Sequence, residues 1–241
     1  MRDFLMRTAG SGRLAIAGLA LIIIFIAAMK RPLSDQPHTY LALGDSYTIG
    51  EKVPAAESFP AQTIDLLRGD GHTFKDPAII AETGWTSGDL MSAIAKSKLA
   101  ARYDFVTLLI GVNNQYQNLE LPKFVTDFET LLNKAIQLAG KDASHVFVLS
   151  IPDWSVTPFA ITTLPDRFGR QAEHITKQID EFNAACKLIA AKHHVTFIDI
   201  TPDTRKAAED PNLIASDGLH PSAKEYSVWA EKVARMIKRK L

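Results

Sequence analysis

The sequence predicts an α/β domain built around a parallel sheet, and two observations support this fold class. Short runs of aliphatic and β-branched residues alternate along the chain with longer segments whose apolar residues recur at helical spacing, as in strands joined by crossover helices. The chain has 241 residues, 46% of them hydrophobic, which is enough to bury a substantial core. About five parallel strands are therefore expected.

Five strands and five helices account for this alternation. The strand segments are short and almost wholly apolar, as expected of strands that are covered on both faces. They lie at 39–43, 78–81, 105–110, 146–151 and 195–198. Helices are predicted at 60–68, 87–99, 122–139, 170–192 and 222–240, and in the third of them Phe124, Phe128 and Leu131 fall on one face. The stretch 152–168 is predicted to be a long loop.

The N-terminus, residues 1–31, is expected to be a separate membrane-targeting segment. Residues 14–29 are all apolar or small, with three arginines before them and two basic residues after them. An imperfect cleavage site at 26–28 favours a retained transmembrane helix over a cleaved signal peptide, and the upstream arginines favour export of the rest of the chain. After a linker at 32–37, the domain at 38–241 is thus expected to be exported to the periplasmic or extracellular side and held at the membrane, or secreted if the segment is cleaved. A buried core helix is the remaining alternative.

The composition limits the classes of partner. The 27 basic and 27 acidic residues give a formal net charge of zero, so no nucleic-acid partner is expected. A single cysteine allows no internal disulfide. The histidines form no evident metal motif, and no metal or cofactor is expected. The oligomeric state is left open.

Two segments from opposite ends of the domain carry side chains suited to nucleophilic catalysis. Ser46 follows the first predicted strand, and Asp217 and His220 lie just before the last helix. A serine hydroxyl is a poor nucleophile at neutral pH unless an imidazole accepts its proton and a further group orients that imidazole. These residue types therefore suggest a hydrolase, although Asp217 at this position is also suited to capping the final helix.

The candidate residues all follow predicted strands or precede the last helix. Ser46 follows the first strand, Gly84 the second and Asn113 the third, and the 152–168 stretch follows the fourth. Parallel sheets bind ligands at the carboxyl ends of their strands, where such connections converge. One edge of the sheet is therefore expected to collect the whole set.

Four blocks in this order resemble those of the SGNH or GDSL-type serine esterases and lipases, which include lysophospholipase-like esterases. The blocks are Gly44-Asp45-Ser46-Tyr47, Glu82-Thr83-Gly84-Trp85, Gly111-Val112-Asn113-Asn114 and Asp217-Gly218-Leu219-His220-Pro221. The resemblance covers nearly all of the chain after the linker. It implies a three-layer α/β/α fold, similar to flavodoxin, with about five parallel strands.

The resemblance also implies roles for individual residues. Ser46 becomes the nucleophile, His220 the general base and then acid, and Asp217 the group that orients the imidazole. The expected oxyanion hole combines the backbone N–H groups of Ser46 and Gly84 with the side-chain amide of Asn113. One position departs from the family pattern, because the third block usually ends in aspartate and this chain has Asn114 there. The support around the oxyanion donor is therefore in question.

The substrate is expected to be a small-molecule or lipid ester. Trp85, Tyr116 and the stretch carrying Trp154 are candidates for the wall of an apolar acyl pocket, or alternatively they close the core. A lysophospholipid or other lipid ester suits a membrane-tethered enzyme, and an acetylated carbohydrate suits an exported one. A catalytically inactive sugar- or lipid-binding protein on the same scaffold is the alternative from another functional class.

Overall fold

The computed structural model describes residues 36–167 and 172–241. The segment predicted at 1–31 and residues 32–35 of the predicted linker lie outside these described residues. The residues that the structure describes belong, apart from residue 36, to one compact unit, Pro37–Leu241. Within them, no helix has the length and the apolar character that crossing a bilayer requires.

A five-stranded parallel sheet forms the centre of the domain, which confirms the predicted fold class. Its strands are β1 (Tyr40–Asp45), β2 (Ala78–Glu82), β3 (Phe105–Leu109), β4 (Val146–Leu149) and β5 (Thr196–Ile198). They lie in the order β2-β1-β3-β4-β5, and every neighbouring pair is parallel. This is the strand order of flavodoxin-like folds.

The apolar content of each strand follows its place in the sheet. The three central strands β1, β3 and β4 are buried at every residue, because neighbouring strands and helices cover them on all sides. The edge strand β2 is only half-buried and ends at an exposed residue. The centre of the sheet therefore provides the most rigid position for a reactive group.

Nine α-helices accompany the strands within the described residues. They are α1 (Ser46–Ile49), α2 (Phe59–Gly69), α3 (Ser87–Lys96), α4 (Val112–Tyr116), α5 (Leu121–Leu138), α6 (Pro158–Arg167), α7 (Ala172–Lys192), α8 (Thr201–Thr204) and α9 (Ala223–Lys238). The helices α2 and α9 pack against each other, whereas α5 packs against both α3 and α7. The sheet thus has two separate groups of helices, as the expected three-layer arrangement requires.

The prediction of a long loop at 152–168 was wrong. This stretch contains a 3-10 turn at Trp154–Val156 followed by α6. The Thr157 hydroxyl accepts a hydrogen bond from the N–H of Ala160 at 3.2 Å, and Pro158 occupies the first helical position, where proline is well tolerated. A helix of ten residues with a weak apolar pattern gives little periodic signal. The residues in the sequence that indicate this helix are therefore Thr157 and Pro158 at its start.

Gly44 allows three elements to approach closely at the end of β1. A Cβ atom there would lie 2.5 Å from the Leu109 carbonyl oxygen of β3 and closer still to the Thr48 hydroxyl of α1. The carbonyl belongs to the sheet backbone and has little freedom to move. Gly44 is therefore required where the central strand turns into the helix that begins at Ser46.

We predict that Gly44→Ala destabilises the domain by about 3 kcal/mol, because the added methyl group overpacks against backbone. Chemical denaturation of the purified domain measures the change in the free energy of unfolding. Gly69→Ala is the matched control: an added Cβ at the end of α2 meets no atom within 4 Å. It is expected to change stability by less than about 1 kcal/mol, towards stabilisation. Equal effects of the two substitutions would contradict this account of Gly44.

Candidate active site

Ser46 lies at the carboxyl end of the central strand β1 and is the first residue of α1. Asp45 caps this four-residue helix, since its Oδ1 accepts a hydrogen bond from the Tyr47 N–H at 3.0 Å. The helix ends at Ile49 and is followed by Gly50, which adopts the left-handed conformation that glycine accommodates without strain (φ 77°). A tight strand-to-helix turn with defined residues at both ends therefore fixes the position of the serine.

His220 joins this serine to a carboxylate. Its Nε2 lies 2.9 Å from Ser46 Oγ, and its Nδ1 lies 2.6 Å from Asp217 Oδ2. An ionised carboxylate can only accept a hydrogen bond, so Nδ1 carries the proton and Nε2 is left to accept the serine O–H. The three side chains thus form a continuous chain of hydrogen bonds with the polarity that a general base requires.

Asp217 is held in its ionised form. Partial burial by itself raises the pKa of this carboxyl, but hydrogen bonds from the His220 ring and from the backbone N–H groups of Leu219 and His220 outweigh it. The pKa of Asp217 therefore lies below its usual value. Ser222, rather than Asp217, caps α9.

Packing behind the imidazole fixes its orientation. The ring of Tyr47 lies 5.1 Å from the His220 ring and 6.4 Å from Trp229, and Trp229 in turn lies 6.1 Å from Phe59 on α2. His220 is itself only 7% exposed. The imidazole therefore rests on aromatic side chains that belong to the core between α2 and α9.

Gly84 and Asn113 face the same cavity as Ser46 and His220. Gly84 has φ 83°, and a Cβ atom there would meet no atom within 4 Å, so its backbone is open to a ligand. The Asn113 side-chain amide donates one hydrogen bond to the Trp85 carbonyl at 3.0 Å. An amide nitrogen has two hydrogens, and the second remains for another acceptor.

The cavity beside Ser46 has a volume of about 170 Å³ and a mainly apolar wall. Besides the polar groups already named, the wall includes Tyr47, Thr83, Val112, Tyr116, Trp154, Phe159 and Leu219. Two of the three proposed substrate contacts, Tyr116 and Trp154, are therefore at the cavity. Trp85 is not among its lining residues and packs against the core instead.

Gln115 positions one of these walls, and the sequence analysis missed it. Its Oε1 accepts a hydrogen bond from the Trp154 indole N–H at 2.8 Å, and its Nε2 donates to Gln178 at 2.9 Å. Gln115 is only 1% exposed. Its adjacency to the third motif block was the only available sequence signal.

Residues 42–228 match the family model described as the GDSL-like lipase/acylhydrolase family. The chain belongs to the GDSL-like lipase/acylhydrolase family. The matched range covers most of the chain and contains all four motif blocks. As a member of this family with an esterase relative, the protein is a carboxylic ester hydrolase.

Individual relatives of this GDSL-like hydrolase are distant in sequence. An acetylxylan esterase of Geobacillus stearothermophilus is 23% identical over 163 residues, which is 64% of this chain and 68% of the relative. A lipase/acylhydrolase from Enterococcus faecalis superposes with a TM-score of 0.65 at 21% identity, covering 85% of this chain and 97% of the other. The structure of the Axe2 acetylxylan esterase from Geobacillus stearothermophilus superposes with a TM-score of 0.61 at 18% identity. The match covers 83% of this chain and 94% of the other.

Asp45 is a buried carboxyl beside the serine of this hydrolase. It is 1% exposed, and burial raises its pKa to about 7, although the Tyr47 N–H and its own backbone N–H act in the opposite direction. Because the folded state holds this proton while the unfolded state has lost it, stability falls as the pH rises from about 4 to about 7.

We predict that Asp45→Asn stabilises the domain increasingly with pH, by about 1–4 kcal/mol at pH 8. The asparagine oxygen can still cap α1, and it carries no charge to bury. Chemical denaturation of both proteins between about pH 4 and pH 8 tests this. A difference in unfolding free energy that stays constant across this range would show that Asp45 does not titrate as described.

Proposed function

We propose that this esterase cleaves carboxylic esters through an acyl-enzyme on Ser46. The observation that supports this most strongly is the hydrogen-bonded chain from Ser46 Oγ through both His220 nitrogens to Asp217. In the first step Ser46 Oγ bonds to the ester carbonyl carbon while its proton passes to His220 Nε2. The carboxylate of Asp217 stabilises the imidazolium that forms.

The tetrahedral intermediate then carries a negative oxygen. We propose that the N–H groups of Ser46 and Gly84 and the free hydrogen of the Asn113 amide bind it. When the intermediate collapses, the bond to the alcohol oxygen breaks and His220 Nε2 protonates the leaving alcohol. Water, deprotonated by the same nitrogen, attacks the acyl carbon in a second cycle and releases the acid and Ser46.

A relative supports serine as the nucleophile in this reaction. A serine-to-alanine form of the Axe2 acetylxylan esterase is described as a catalytic mutant. Its structure resembles this chain with a TM-score of 0.64. A serine in the same family and fold is therefore the natural candidate for the corresponding role here.

We predict that Ser46→Ala or His220→Ala lowers kcat/KM for a short-chain p-nitrophenyl ester by at least about a thousandfold. A fluorophosphonate probe, which bonds to activated serines, should label the unmodified protein at Ser46 and leave Ser46→Ala unlabelled in intact-mass spectra. His193→Ala is the matched control, because the His193 ring forms a hydrogen bond with Glu129, away from the proposed site. Full turnover by Ser46→Ala would refute the proposed nucleophile.

The cavity favours a short acyl group as substrate. An apolar protein cavity of about 150 Å³ accommodates benzene, so the cavity of about 170 Å³ beside Ser46 has room for a short acyl chain. We therefore propose esters of short acids, with acetylated carbohydrates favoured over long-chain lipids and lysophospholipids. The name of the acetylxylan esterase relative agrees with this choice.

We predict that kcat/KM for p-nitrophenyl esters falls about tenfold or more between butyrate and decanoate, a loss of about 1.4 kcal/mol in transition-state binding. Phe159→Ala should reduce this discrimination, because it removes an aromatic ring from the cavity wall. Leu188→Ala, at a side chain that is 72% exposed on α7, serves as the control. A preference for decanoate by the unmodified domain would overturn the short-acyl proposal.

We also propose that the protein acts outside the cytoplasm, held to a membrane by residues 14–29. The apolar run and the flanking basic residues support this location. Membrane fractionation of cells that express the full chain, with protease added from outside, would test both the attachment and the side on which the domain lies.

A further inference from the structure

A buried polar cluster lies directly behind the proposed oxyanion site. Asn114 Oδ1 accepts a hydrogen bond from the Ser87 N–H at 2.9 Å, and Asn114 Nδ2 donates to Ser87 Oγ at 2.8 Å. Ser87 Oγ in turn donates to Asp127 Oδ2 at 3.0 Å. Asn114, Ser87 and Asp127 are 2%, 0% and 8% exposed, so water does not substitute readily for any of these bonds.

The hydrogens in this cluster can be assigned without ambiguity. The Ser87 backbone N–H can only donate, so the oxygen of the Asn114 amide must face it and the nitrogen must face the Ser87 hydroxyl. That hydroxyl has one hydrogen, which the Asp127 carboxylate receives. Ser87 Oγ therefore needs a donor at position 114, and an ionised aspartate there would supply none.

The cluster ties together the two segments that carry the proposed oxyanion donors. Asn114 follows Asn113 on α4, and Ser87 begins α3 three residues after Gly84. A third hydrogen bond, from Asn113 Nδ2 to the Trp85 carbonyl at 3.0 Å, joins the same two segments. Three hydrogen bonds thus fix the separation between the Gly84 backbone and the Asn113 amide.

Asp127 anchors the cluster to a long helix. It lies on α5, and Lys123 Nζ, one turn earlier, lies 2.9 Å from Oδ2 and 3.1 Å from Oδ1. The side chain of Lys123 is 68% exposed, so this ion pair contributes little stability by itself. The ion pair does place a cation beside the Asp127 carboxylate, which accepts the hydrogen bond from the Ser87 hydroxyl.

We propose that Asn114 and Asp127 are positioning residues for the oxyanion site, and that the amide at 114 is matched to the carboxylate at 127. This inference rests on the proposed function of Gly84 and Asn113. It accounts for the departure of the third motif block from the family pattern: with Asp127 opposite, an aspartate at 114 would leave two carboxylates competing for one hydroxyl hydrogen.

Substitutions at the two positions test the match. Asn114→Asp should lower kcat for p-nitrophenyl butyrate by about ten- to a hundredfold, with a smaller change in KM, because a misplaced donor costs transition-state stabilisation. Asp127→Asn should lower kcat less than Asn114→Asp does, since its amide oxygen still accepts a hydrogen bond from Ser87.

The double variant Asn114→Asp with Asp127→Asn distinguishes positioning from general damage. The carboxylate introduced at 114 would accept both Ser87 hydrogens, the N–H and the O–H, while the amide introduced at 127 donates to Ser87 Oγ, so the bonds reform with the hydroxyl reversed. We expect kcat to return to within about threefold of the unmodified value. Asn118→Asp, an exposed change in the same segment, is the control for added charge.

Two results would overturn the inference: full kcat in Asn114→Asp, or a double variant no better than Asn114→Asp. Ser46→Ala, assayed in parallel, separates this failure from failure of the proposed function. If Ser46→Ala is inactive and Asn114→Asp is fully active, only the inference fails. If Ser46→Ala retains turnover, the proposed function fails as well.

Discussion

The common direction of the five strands is the constraint on which the site depends. All the carboxyl ends lie at one edge of the sheet, and β1 lies between β2 and β3. Asp45 pairs with Glu82 of β2, and Gly44 pairs with Leu109 of β3. The residues that follow these strands, at Ser46, Gly84 and Asn113, therefore meet although up to 67 positions separate them in the chain.

His220 reaches the same place by a different route, because it precedes a helix rather than following a strand. It lies 174 positions after Ser46. The packing of α9 against α2 brings it there, with Trp229 between Tyr47 and Phe59. The core that stabilises the domain also supports the imidazole, so changes in this core are expected to affect stability and catalysis together.

The sequence predicted the parts that depend on local pattern, and the resemblance of its blocks to the SGNH or GDSL-type family predicted that Ser46, His220 and Asp217 meet. The other side-chain contacts between elements were not predicted. All five strands were expected close to their observed positions, because buried strands are continuous apolar runs. Helix α6 was missed because its apolar pattern is weak. The hydrogen bonds between Asn114 and Ser87, and between Gln115 and Trp154, join different elements. No spacing of residues along the chain predicts them. The raised pKa of Asp45 likewise depends on burial in the folded domain.

The most direct test of the central claim is a crystal structure of the domain after reaction with a phosphonate ester, which mimics the tetrahedral intermediate. We predict a bond from phosphorus to Ser46 Oγ, with one phosphonyl oxygen about 2.7–3.1 Å from the N–H nitrogens of Ser46 and Gly84 and from Asn113 Nδ2. His220 Nδ1 should keep its hydrogen bond to Asp217. An adduct on another residue, or an oxygen turned away from these donors, would contradict the account.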